Sequence, residues 1–110
     1  MKVEQKGNTI TIKDTQGNLA SFLEKVAQQN KSFESHNLII DLSHNKAVDN
    51  SDLKLFLPIS KQHKKAKKSF VVVASDIDFN SVPSQLTVVP SVLEANDIIG
   101  MEEIERDLGF

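Results

Sequence analysis

Two uninterrupted apolar runs, Leu38-Ile39-Ile40 and FVVVA at Phe70–Ala74, constrain this chain more than any other feature. A strand with one wet face alternates apolar and polar side chains. A strand without alternation needs cover on both faces. Helices packed on a sheet with parallel pairing at its centre supply that cover. The rest of the chain alternates in the way such a fold requires. Lys2–Gln5 and Thr9–Lys13 read as short strands around Gly7-Asn8, which marks a hairpin. Leu19, Phe22, Leu23 and Val26 then recur at helical spacing behind Asn18, a good N-cap, in a helix ending near Asn30.

After the first buried run, a second helix begins near Ser51 with Leu53, Phe56, Leu57 and Ile59 on its apolar side. Pro58 predicts either a kink or a junction of two short helices, with the proline in the first turn of the second. Thr87–Val89 is a third short strand following the second run. Ser91 and Glu94 form the S-x-x-E signature of a capping box. The helix they open carries Val92, Leu93, Ala95, Ile98 and Ile99. Gly100 is expected to break it before an acidic helical segment at Met101–Leu108. The predicted fold is a single α/β domain over residues 1–110, in the order β-β-α-β-α-β-β-α, with a mixed central sheet of about five strands.

The bulk properties remove several function classes. A chain of 110 residues without cysteine has no disulfide, thiol nucleophile or cysteine metal site. The start, MKVEQKGNTI, lacks the apolar core of a signal peptide, and no apolar run is long enough to span a bilayer. A cytoplasmic location without a membrane partner is the expectation. Net charge -2 argues against a general nucleic-acid binder, and the absence of Tyr and Trp argues against base stacking.

Catalytic patterns are also missing. His36, His44 and His63 have no metal-ligand spacing and read as exposed polar residues. No nucleophile elbow, P-loop or dinucleotide fingerprint occurs. Asp41, Asp76 and Asp78 follow strands and are candidates for Mg²⁺ only if they converge. No cofactor is expected. The Lys61–Lys68 block reads as a solvated helix C-terminus, where cations complement the macrodipole, with an acidic or phosphate-bearing partner as the alternative. The acids Glu102, Glu103, Glu105 and Asp107 are placed to offset it, within one molecule or between copies. The turn Asp49-Asn50-Ser51-Asp52 is built of N-cap residues, and Ser51 is its modifiable side chain.

The order of these pieces resembles the STAS domain family, which includes bacterial anti-sigma factor antagonists. NLIIDLS followed by AVDNSDL is similar to that family's strand, loop and D-S-S-G-L helix start. SFVVVAS resembles its next strand, and LTVVPSVLEANDII its last strand and closing helix. The resemblance implies a non-catalytic regulatory domain that binds a protein partner through Asp49, Asn50, Ser51, Asp52 and Leu53. It also implies a departure. The family's phosphorylated serine falls on Asn50, Ser51 matches the second serine, and Asp52 replaces the glycine. The usual phosphoserine switch is therefore not expected. The helix that follows the fourth strand in the family is reduced here to DFNSVPSQ. The chain is also similar to small bacterial sequences named ribonuclease Z, which implies RNA processing or an accessory role in it. That enzyme resembles the metallo-β-lactamase family and needs an H-x-H-x-D-H cluster, which this chain lacks.

Overall fold

The computed structural model describes residues 1–15, 17–45, 48–75 and 77–109. Five strands form one sheet in sequential order. They are β1 (Lys2–Lys6), β2 (Thr9–Lys13), β3 (Asn37–Asp41), β4 (Phe70–Val73) and β5 (Thr87–Val89). β1 pairs antiparallel with β2 through the Gly7-Asn8 turn, where Gly7 takes φ 60. All other pairings are parallel, with Ile10 beside Leu38, Ile39 beside Val71 and Val72 beside Val88. The mixed sheet with a parallel centre follows from the two non-alternating runs, because β3 and β4 are buried along their whole length.

The helices are α1 (Leu19–Gln28), α2 (Asn30–Phe33), α3 (Asn50–Leu53), α4 (Leu57–Lys65) and α5 (Val92–Asp107). Asn18 caps α1 by accepting the Ser21 N–H at 3.1 Å. Pro58 lies in the first turn of α4, beyond a 3-10 turn at Lys54–Phe56. This is the junction form of the two readings that Pro58 allowed, since a proline there removes no helical hydrogen bond. Between β4 and β5 the described residues form only a 3-10 turn, Phe79–Ser81.

The sheet sorts its side chains by parity. On one face Ile10, Ile12, Leu38, Ile40, Phe70 and Val72 join Phe22, Val26, Leu53 and Phe56 in the larger core. On the other face Ile39, Val71, Val73 and Val89 pack with Ala95 and Ile99 of α5.

Two expectations are corrected. Gly100 does not break the last helix, and α5 runs through it without interruption to Asp107. A single glycine costs a helix interior only about 1 kcal/mol, which packing of Ala95 and Ile99 outweighs. His63 is not an exposed polar residue. Its side chain is fully buried, 5.6 Å between ring centroids from Phe70. His63 Nδ1 donates to the His36 carbonyl at 3.1 Å, while Nε2 has no partner. Burial holds its pKa below the ordinary histidine value, against the raising influence of the His36 carbonyl and the Glu34 charge. His44 is exposed and His36 partly so.

Candidate functional site

Parallel pairing brings the C-terminal ends of β2, β3 and β4 to one edge of the sheet, the position where open α/β sheets commonly carry ligand or partner sites. The polar side chains there are largely committed to shaping loops. Asp14 is buried and accepts from Gly17 N–H and from the Asn45 amide, both at 3.2 Å. Asp41 Oδ1 accepts from the Ser43 N–H at 3.0 Å and its hydroxyl at 2.6 Å. Asp78 closes the 3-10 turn, accepting from Asn80 N–H at 3.0 Å and the Ser81 hydroxyl at 2.8 Å. Asp76 lies outside the described residues. Among the described residues, no three His, Asp or Glu side chains come together in a way that could hold a metal ion.

The turn at the start of α3 is ordered by reciprocal bonds. Asp49 Oδ1 accepts the Asp52 N–H, and Asp52 Oδ2 accepts the Asp49 N–H, each at 3.0 Å. This is a capping box with aspartate in both places, and the Asp52 N–H is shared with the Asp49 carbonyl at 3.1 Å. The Ser51 hydroxyl donates to Asp49 Oδ1 at 2.6 Å. These bonds, from the Ser51 hydroxyl first and the Asp52 N–H second, hold the exposed Asp49 carboxyl below its usual pKa. Asn50 reaches away from the helix and donates its amide to the Asp78 carbonyl at 2.8 Å. It thereby ties the turn to the loop after β4. Asp49 and Ser51 are exposed, and Asn50 and Asp52 partly exposed. Leu53 is fully buried in the larger core, so it anchors the turn from beneath. Lys46 and Ala47, within the preceding loop, lie outside the described residues.

At the opposite edge of the sheet, the lysine block ends α4. The Lys67 N–H bonds to the Lys64 carbonyl at 3.0 Å and the Lys68 N–H to the His63 carbonyl at 2.8 Å. Lys67 takes φ 61, so this is a Schellman ending with lysine where glycine is usual. Lys64, Lys67 and Lys68 line a groove with Glu102, Glu105 and Arg106 of α5. The acidic helix lies beside the basic block within one molecule.

Sequence reasoning missed a polar clamp beside this groove. Asn37 is fully buried, and its Oδ1 accepts the Ser69 N–H at 2.9 Å and Arg106 Nη2 at 3.5 Å. Its amide donates to Glu103 at 3.2 Å. The Ser69 hydroxyl donates to Glu102 at 2.5 Å and accepts from Arg106 at 3.2 Å. The clamp joins the N-terminal end of β3, the residue before β4, and the last turns of α5. Its one sequence signal was an asparagine at the head of an otherwise apolar run.

No model of a known protein family and no curated protein matches the chain. No helix among the described residues is long and apolar enough to cross a membrane.

Proposed function

We propose that this chain is a non-catalytic, STAS-like regulatory domain that binds a protein partner through the turn Asp49–Asp52, in the manner of an anti-sigma factor antagonist but without a phosphoserine switch. One observation carries the reading. Asn50, at the position of the phosphorylated serine in the resemblance, spends its amide on the Asp78 carbonyl and cannot accept a phosphate ester. The turn is thus held in one state by its own side chains. Modification of Ser51 would act differently. Its hydroxyl already bonds Asp49, and a phosphate there would meet the carboxylates of Asp49 and Asp52 and oppose the capping box. The order of strands and helices, the absence of a metal-holding group among the described residues, and the exposed polar turn above a buried Leu53 all support a binding role.

The test is affinity capture from the native cytoplasm with wild-type protein and with Asn50→Lys and Asp49→Lys variants. Leu53 is unsuitable as a probe because its replacement damages the core. Both variants are expected to lose a partner that the wild type retains, with circular dichroism unchanged. Retention of every partner by both folded variants sinks the reading. Bound zinc together with RNA cleavage by the purified chain would replace it with the RNA-processing alternative.

A further inference from the structure

The solvent side of α5 carries four large apolar side chains. Leu93, Met101, Ile104 and Leu108 are 60–73% exposed, although each is large and hydrophobic. The spacing places them, with Asp97 and Gly100, on one stripe opposite Ala95 and Ile99, which face the sheet. Single exposed apolar residues are ordinary, but a stripe along one helix marks a contact surface. Gly100 sits at its middle. It has no positive φ, and a Cβ built on it would meet nothing within 4 Å. Nothing within the fold requires a glycine there, whereas a second helix crossing closely would.

We propose that the stripe is the two-fold interface of a dimer, in which α5 of a second copy packs antiparallel across Gly100. The sequence positions are self-complementary, as an isologous contact demands. An antiparallel register centred between Gly100 and Met101 sets Leu93 against the other copy's Leu108 and Met101 against its Gly100. The same register sets Asp97 against Ile104. The long Met101 side chain fills the space over the glycine. The charges beside the stripe are complementary in the same register. On one flank Glu94 lies along the N-terminal half of α5, while Lys64, Lys67, Lys68 and Arg106 outnumber Glu102 and Glu105 beside the C-terminal half. On the other flank, Lys2, Lys6 and Lys13 outnumber Glu4 and Asp41 around a cavity of about 240 Å³ beside Val92 and Asn96. Asp107 lies on that flank in the C-terminal half. A two-fold axis perpendicular to the helix pair keeps like flanks on the same side. Antiparallel packing therefore brings Glu94 towards the other copy's lysine groove, and Asp107 towards its β1–β2 lysines.

Leu93 and Leu108 stand about 22 Å apart along the axis at ~1.5 Å per residue. One helix stripe of that length covers less than the roughly 800 Å² per partner of a standard stable interface. The charged flanks must take part, so the dimer is salt-sensitive and of micromolar strength. The proposal is independent of the Asp49–Asp52 turn, whose anchor Leu53 packs on the opposite face of the sheet from α5.

Sedimentation equilibrium of the full chain up to about 500 µM, a range that captures micromolar association, tests it. The wild type is expected to dimerise, more weakly as salt rises. Gly100→Leu, which improves the helix of the monomer, should raise the dissociation constant at least about tenfold. Ile104→Glu should leave a folded monomer. Glu94→Lys should weaken the dimer, and adding Lys68→Glu should restore it. A wild type that stays monomeric across the range overturns the proposal. So does a dimer that Gly100→Leu leaves unchanged. Binding of a cationic amphipathic peptide to a chain that never dimerises would assign the stripe to a different partner.

Discussion

The two faces of the sheet are built to different standards. One is closed by α1, α2, α3 and α4, and its core reaches from Ile10 and Ile12 on β2 to Phe70 and Val72 on β4. Among the described residues, the other is covered by α5 alone, over β3, β4 and β5. Beyond α5 the second face is left to Thr9, Thr11 and Lys13 of β2 and Lys2, Glu4 and Lys6 of β1, which line an open cavity. β2 serves both faces, while β1 is exposed along its whole length. Ile10 and Ile12 point into the closed core and the threonines out of the open one. The difference teaches that a single helix can bury only part of a five-strand sheet, and that the uncovered half must be polar from the outset.

Ile39 and Ile40 give the sharpest test of this contrast. They are neighbours on β3, of one residue type, both fully buried, and they face opposite sides. Truncation of a buried isoleucine to alanine costs about 2–5 kcal/mol, with the spread set by how far the surroundings collapse. Ile40→Ala opens its cavity among residues held by several helices. Its cost should lie near the upper end, about 4–5 kcal/mol. Ile39→Ala is relieved by a small settling of α5 and should lie near about 2–3 kcal/mol. Urea denaturation of the two variants measures the gap. Equal costs would mean that α5 is as rigidly seated as the four-helix side.

The clamp that seats α5 supplies the next effect. Asn37→Leu removes the acceptor for the Ser69 N–H and one for Arg106, and leaves Glu103 without its amide donor. A buried donor left without a partner costs about 1–3 kcal/mol. Because the clamp joins α5 to β3, this loss should appear together with faster hydrogen exchange in the last turns of α5. Unchanged exchange there would mean the clamp serves only β3 and β4.

Much of this was legible in the sequence, and what was missed has physical reasons. The apolar runs at Leu38–Ile40 and Phe70–Ala74 announced β3 and β4 because central strands are uniformly buried. Asn18, Asp49 and Ser91 announced helix starts because capping is local chemistry. Pro58 marked a junction for the same reason. Gly100 misled, since its local helix penalty says nothing about the tertiary packing that overrides it. Treating it as a break cut the stripe Leu93, Met101, Ile104 and Leu108 in two and hid its continuity. Leu53 was announced by its place on the apolar side of its helix, and it is fully buried. His63 lies in a lysine-rich stretch, and only the position of Phe70 behind it shows why that one side chain turns inward.

His63 also makes the closed face respond to pH. Its folded pKa is lowered, chiefly by burial. Below the ordinary value of 6.5 the unfolded chain takes up a proton that the folded chain resists. Stability therefore falls as pH drops from 6.5 towards the lower folded value, and is unaffected by this group above 6.5. Urea midpoints measured between neutral pH and the onset of carboxylate titration should decline. His63→Gln, which keeps a donor for the His36 carbonyl, should flatten that decline. A wild-type slope that survives in the variant would assign the effect to other groups.

The smallest effects come from two helical positions whose residues are exchanged relative to local preference. Lys67 occupies the left-handed position of the Schellman ending of α4, where glycine is favoured, and Gly100 occupies a regular turn of α5, where alanine is. Lys67→Gly relieves a left-handed lysine and should stabilise the chain by about 1 kcal/mol. Gly100→Ala at an exposed helix position should stabilise it by roughly 0.5–1 kcal/mol. Both gains are to be measured in dilute protein, where the chain is monomeric. The two sites then separate as concentration rises. Lys67 flanks the stripe, so its loss should weaken association slightly through charge. Gly100 lies at the helix crossing, so even a methyl group should weaken association through shape. A variant of Gly100 that gains stability when dilute and keeps full self-association when concentrated would show that α5 carries its glycine for neither purpose.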